Sequence, residues 1–341
     1  MSWKNAAVGL LGLIVAASPS FATPTPERLE YIEPHMGTLF RIVLYPPDPA
    51  IAQAATRAAF DRIAVLNRIM SDYDPTSELM RLCAQAPTTP VPVSAELFDI
   101  LQQSQEIAKK TQGAFDVTLG PVIRLWRETR RTHALPTAAS RTAALQASGF
   151  NQLQLDPVGR TVTLLRPHMA LDLGGIAKGY AAQAALAVLA QYGIPCAMVA
   201  ASGDLALGDP PPGKMGWHIE LNPFGSTSSE PITLIVAHAG VSTSGDSEQF
   251  VTVAGIRYSH IIDPATGLGL TRPTAVTVIA PHATLADALA TACSVLTPAA
   301  VQHLADNSSE SIRVIIHHRN ADGSTQSTSF GHAPTGLIST P

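Results

Sequence analysis

The chain has 341 residues, 46% of them hydrophobic and 14% charged, with a formal net charge of −4. That length can hold one large core or two ordinary domains, and a faintly acidic balance without Lys/Arg blocks argues against nucleic acid as the main partner. Eleven histidines are scattered, and neither His-Glu-x-x-His nor Cys-x-x-Cys spacing occurs, which argues against a zinc site.

At the N-terminus, Lys4 precedes an apolar run over 6–17, and Ser20-Phe21-Ala22 follows with a small-x-small pattern. This predicts a secretory signal peptide over 1–22, cleaved after Ala22, with an apolar run too short to span a bilayer. An uncleaved anchor is the alternative. No cysteine lies near the cleavage point, so no lipid anchor is expected. The protein is expected to be exported, and periplasmic in a Gram-negative source. Cys83, Cys196 and Cys293 are an odd set, read as buried free thiols or as one bridge plus one thiol.

Residues 23–30 read as a Pro/Thr linker and 31–331 as one domain. Alternation predicts a strand over 39–45. Asp48-Pro49 then opens a helix to about Met70, with Ile51, Ala55, Ile63, Leu66 and Met70 in helical period. Ser94 caps a second helix carrying Leu97, Ile100, Leu101 and Ile107, which ends at Lys109, Lys110 and Gly113. A third follows Gly174-Gly175 and runs through Tyr192 to Gly193. Strands are expected at 196–207, 217–222, 232–238, 249–254, 256–262, 274–280 and 312–317, with helices at 285–296 and 298–306. Stretches 209–213 and 223–231 read as surface loops, and 332–341 as a disordered tail. Successive strands between grouped helices predict an α+β fold with a largely antiparallel sheet flanked by helices.

Six stretches carry chemistry. In "LDLGGIAKGYA" (171–181) two glycines stand before a helix and Lys178 sits in its first turn. That arrangement suits an anion, or merely a tight strand-to-helix connection. In "TLADALATA" (284–292) Asp287 and Thr291 share a helix face and offer hard oxygens for Mg²⁺; alternatively Thr284 and Asp287 form a capping box. In "GAFDVTLGP" (113–121) the carboxylate of Asp116 needs a partner, from a ligand or from the backbone. "HMGT" (35–38) and "MSDYDPTSELMRL" (70–82) supply Met36 and Tyr73, which can sandwich a flat heterocycle or belong to the core. "YSHIIDPATG" (258–267) carries His260 and Asp263 to a strand end; His260 shares its strand face with Tyr258 and Ile262, so a core histidine is the competing reading.

Taken in order with "ASGDLALG" and "STSGD", these motifs resemble the ApbE family of FAD:protein FMN transferases across roughly residues 31–316. The resemblance implies an ApbE-like, tunnel-fold-like architecture. It implies Mg²⁺-dependent transfer of FMN from FAD to a threonine or serine hydroxyl of an acceptor protein, with release of AMP. The acceptor would be a subunit of a membrane redox complex. FAD hydrolysis to FMN and AMP, or flavin binding without turnover, are the alternatives. Carried onto this chain, the flavin-binding positions are Met36, Tyr73, Ala114, Phe115, Asp116, Gly175, Lys178, Ala181 and Ile262. The metal positions are Asp287 and Thr291, with backbone oxygens near Ala177 and Ala290. His260 resembles the family's catalytic histidine, with Asp263 fixing the loop around the nucleotide. Ser247 departs from the aromatic that the family usually carries after this motif, and the family's common lipoprotein cysteine is missing.

Overall fold

Alternating side chains point to opposite faces of a strand, so a strand covered on both faces must be apolar throughout. Ile42, Val43 and Leu44, and likewise Val314, Ile315 and Ile316, are consecutive and all buried. The computed structural model describes residues 26–225, 232–245, 249–320, 324–334 and the backbone of 337–339. In it these runs belong to one eight-stranded sheet. Its spatial order is Leu29–His35, Thr38–Leu44, Ala197–Ala201, Asp204–Leu207, Ala239–Ser244, Thr274–Ala280, Arg313–Arg319 and Thr325–Gly331. Every neighbouring pair is antiparallel. The fold is α+β, as expected.

One face of the sheet packs Ile42, Leu44, Val199, Val278 and Ile316 against the helices Pro49–Met70, Ala177–Gln191 and Ala283–Val295. The other face packs Val43, Leu207, Val241, Ile279 and Ile315 against Trp217, Ile219, Leu234 and Val236 of a second, three-stranded sheet. Asp48 caps the first of these helices through Ala50 N–H at 2.9 Å, with proline in its first turn. Ser94 caps the helix Ala95–Lys110 through Leu97 N–H at 3.2 Å.

Several elements depart from expectation. The run 196–207 is two strands, folded into a hairpin at Ser202 (φ 55°) and Gly203. The run 256–262 breaks after Ser259. The first strand begins at Leu29, inside the expected linker. The tail does not lack structure throughout, because the backbone of Leu337–Ser339 pairs with Ile232–Val236. Unforeseen helices occupy Glu78–Cys83, Gly120–Thr132 and Ala138–Gln146. Cys83, Cys196 and Cys293 are all free thiols. The expected signal peptide lies outside the described residues.

Two helices cross closely beneath the sheet. At Gly179 an added Cβ would stand 2.3 Å from the Ala283 carbonyl oxygen and 2.8 Å from Asp287 Cβ. Backbone cannot yield there as a side-chain tip would. Gly179→Ala should therefore cost about 1–3 kcal/mol, measured by denaturant unfolding; unchanged stability would contradict this packing.

Candidate functional site

Both helices of that crossing deliver polar groups into a cleft of about 1160 Å³ at one end of the sheet. Helix Ala283–Val295 is capped by His282, whose ring accepts from Leu285 N–H at 3.4 Å. Asp287 thus lies beyond the cap, and the capping-box reading fails. Its Oδ2 accepts instead from Gly179 N–H of the neighbouring helix at 2.9 Å. Thr291, one turn further along, faces Gly175, where its Oγ1 would lie 3.0 Å from an added Cβ. Ala177 joins them on the cleft wall.

Lys178 holds this corner together. Its Nζ lies 2.6 Å from Asp204 Oδ2 and 3.8 Å from Asp287 Oδ2. Asp204 also accepts from the Ser242 hydroxyl at 2.6 Å. Both carboxylates are nearly fully buried, Asp287 at 2% and Asp204 at 4% exposure. Burial and the Asp204 charge push the Asp287 carboxyl above the usual range, while Lys178 and Gly179 N–H pull it back. Burial works against the Lys178 charge, but the two carboxylates outweigh it and raise the ammonium above its ordinary value. Two buried carboxyl groups share one ammonium, and a bound cation would favour the ionised form of Asp287. No group of three or more His, Cys, Asp or Glu forms a metal cage among the described residues. The donor set of Asp287 carboxylate and Thr291 hydroxyl still fits Mg²⁺, which commonly takes one or two protein oxygens and completes its shell with water and phosphate oxygens.

Lys178 lines the cleft, as expected of a site residue, with its ammonium paired to carboxylates. Two expected positions need correction. Ala181 is fully buried in the main core and does not line the cleft. Ala290 is likewise fully buried away from the cleft wall, and its carbonyl accepts the Ser294 hydroxyl at 2.8 Å.

At the other end of the cleft, Met36 sits in a hairpin turn with φ 50° and Tyr73 is 76% exposed. Ala114, Phe115, Gly175 and Ile262 line the wall between them and the acidic corner. Asp116 finds its partners in the chain itself. Oδ1 accepts from Thr118 N–H (2.8 Å) and Thr118 Oγ1 (2.7 Å), and Oδ2 from Phe150 N–H (3.0 Å). Burial raises its pKa and these donors oppose the rise. Tyr73 is the exposed aromatic of the cleft. Its ring offers a stacking face to a flat heterocycle.

His260 follows the strand break. Tyr258 and Ile262 stay buried, but the bend at 260–261 turns His260 outward into the cleft, where it is exposed. The core-histidine reading is thereby excluded. Its Nδ1 lies 3.1 Å from the Gln249 carbonyl, which can only accept. In the neutral ring Nδ1 therefore carries the proton, and Nε2 is the basic nitrogen. Asp263 does not line the cleft. Its carboxylate closes its own turn, accepting from Ala265 N–H at 2.9 Å and from the Thr266 hydroxyl at 3.0 Å. It shapes the loop and takes no direct part in the site.

Sequence reading missed Asp204 and Gln249, and also a cluster around Arg127, whose guanidinium meets Asp72 and, at 2.8 Å, Asp172. Asp72, Asp172 and Asp204 stand inside quoted motifs but received no role. Arg127 had a findable signal, since Val122, Trp126 and Thr129 keep a helical period behind the Gly120-Pro121 start. Ser247 lies outside the described residues.

The ApbE family pattern matches residues 36–316. The FAD:protein FMN transferase of Treponema pallidum (strain Nichols) is 34% identical over 277 residues, 76% of each chain. That of Klebsiella pneumoniae (strain 342) is 31% identical over 319 residues, 92% of this chain and 90% of its own. Among solved structures, the flavin transferase ApbE from Vibrio cholerae superposes with a TM-score of 0.80 at 27% identity, covering 89% of this chain and 97% of that one. With the family pattern spanning residues 36–316 and relatives more than 30% identical over most of both chains, the chain belongs to the ApbE family.

Proposed function

We propose that this chain is an FAD:protein FMN transferase that moves FMN from FAD to a threonine or serine hydroxyl of an acceptor protein and releases AMP. The observation that carries the reading is that one cleft holds an exposed imidazole of set tautomer, a carboxylate–hydroxyl pair on one helix face and an exposed aromatic ring. Each supplies a separate need of the reaction. Tyr73 offers a stacking face to the isoalloxazine, and Met36 flanks it. His260 Nε2 takes the proton of the acceptor hydroxyl as its oxygen bonds to the FMN phosphorus. The bond from that phosphorus to the AMP oxygen breaks in the same displacement, and AMP leaves with the electron pair. Mg²⁺, held by Asp287 and Thr291, would neutralise charge on the pyrophosphate, where positioning and charge neutralisation are the main demands of phosphoryl-type transfer.

The N-terminal pattern supports export, and so an acceptor in a membrane redox complex on the exported side. N-terminal sequencing of the mature protein should begin at Thr23; a retained Met1 would overturn this part. For the activity itself, the protein is incubated with FAD and Mg²⁺ and AMP is followed. Mg²⁺-dependent AMP release supports an enzyme, and its absence both with and without an acceptor would leave only a flavin-binding protein.

A further inference from the structure

Arg127 projects from the helix Gly120–Thr132 into the cleft that contains Tyr73. Its guanidinium carbon lies 4.2 Å from the centroid of the Tyr73 ring, within cation–π range. The same Nη2 meets the carboxylate of Asp72, the residue preceding Tyr73, and that of Asp172 at 2.8 Å. Asp172 in turn accepts from Gly174 N–H at 2.8 Å through its other oxygen. One guanidinium therefore ties the Tyr73 loop to the Gly174-Gly175 turn that opens the helix Ala177–Gln191. Its Nε–H is buried without a hydrogen-bond partner among the described residues. An orphaned donor costs stability, so packing alone does not account for an arginine here.

We infer that Arg127 is a positioning residue that locks the stacking face of Tyr73 and the Gly174-Gly175 turn into one register, so that a single clamp sets both the flavin end and the pyrophosphate end of the FAD site. The inference rests on the FAD reading above. The extended guanidinium sets its carbon over the Tyr73 ring while Nη2 meets both carboxylates, and a compact ammonium cannot occupy both places at once. The clamp acts before chemistry, so it governs how FAD is held.

The test measures FAD affinity and quenching of bound-flavin fluorescence in Arg127→Met, Arg127→Lys, Tyr73→Ala and the Arg127→Met/Tyr73→Ala double variant, with melting curves alongside. Arg127→Met should weaken FAD about tenfold and reduce quenching, and Arg127→Lys should restore only part of either, since it returns charge without the extended planar group. In the Tyr73→Ala background the same change should weaken FAD only about threefold or less, because groups acting as a unit are not additive. Asp72→Asn leaves Asp172 to pair with Arg127 and so preserves the fold; it should shift affinity and quenching in the same direction. Full affinity and quenching in folded Arg127→Met or Asp72→Asn, or fully multiplicative effects in the double variant, would overturn the clamp. If Tyr73→Ala weakens FAD while Arg127→Met does not, only the clamp falls. If Tyr73→Ala leaves FAD binding untouched, the flavin reading falls and the clamp with it.

Discussion

His260→Ala should cut FMN transfer about 10²–10⁴-fold, the range of general-base loss, while the protein melts where the unaltered one does. The structure makes the second half of that expectation firm. His260 is exposed on a bend, and its ring bonds the Gln249 carbonyl at the surface. Exposed substitutions of this kind usually alter stability by less than about 0.5 kcal/mol. FAD affinity should also hold, because stacking and the acidic corner lie elsewhere in the cleft. In the unaltered enzyme transfer should fall on the acid side, since only neutral imidazole accepts a proton. Normal transfer per folded molecule in His260→Ala would end the base assignment.

The second large effect is expected at Asp287. Asp287→Asn keeps the shape and an acceptor for Gly179 N–H but removes the charge. Mg²⁺-dependent AMP release should drop about 10²–10³-fold, the scale of losing several kcal/mol of charge stabilisation. Stability should change by no more than about 1 kcal/mol, because Lys178 keeps its closer partner Asp204 at 2.6 Å and one buried like-charge contact is relieved. Calorimetric titration with Mg²⁺ in the presence of FAD should show the same loss. Full AMP release in Asp287→Asn would place the metal elsewhere or remove it from the account.

The contrast between these residues shows what the sequence carried and what it did not. Helix starts were legible where a cap and a proline coincide, as at Asp48-Pro49, because capping is local chemistry. The sheet was legible where alternation or sustained apolarity ran for five or more residues, as over 274–280. His260 was singled out by motif resemblance, yet the reason it escapes burial and lines the cleft is a strand break that period-two reading cannot show. The roles of Lys178, Ala181 and Ala290 depend on which way a helix faces. Lys178 faces Asp204, which is 26 positions away in the chain, and no local pattern reports such a pairing. Arg127 fell on a helix whose period was readable, but its partners Asp72 and Asp172 lie 55 and 45 positions away. Tertiary partners of this kind become visible only once the chain is folded.

The most direct measurement follows FAD, AMP and covalently bound flavin together, with an acceptor peptide carrying one threonine and Mg²⁺ present. The account predicts one AMP released for each FMN joined to the peptide by a bond that survives denaturation, with no product when the threonine is replaced by valine. AMP release at the same rate with only free FMN and no flavin on the peptide would contradict transfer and make the protein a hydrolase.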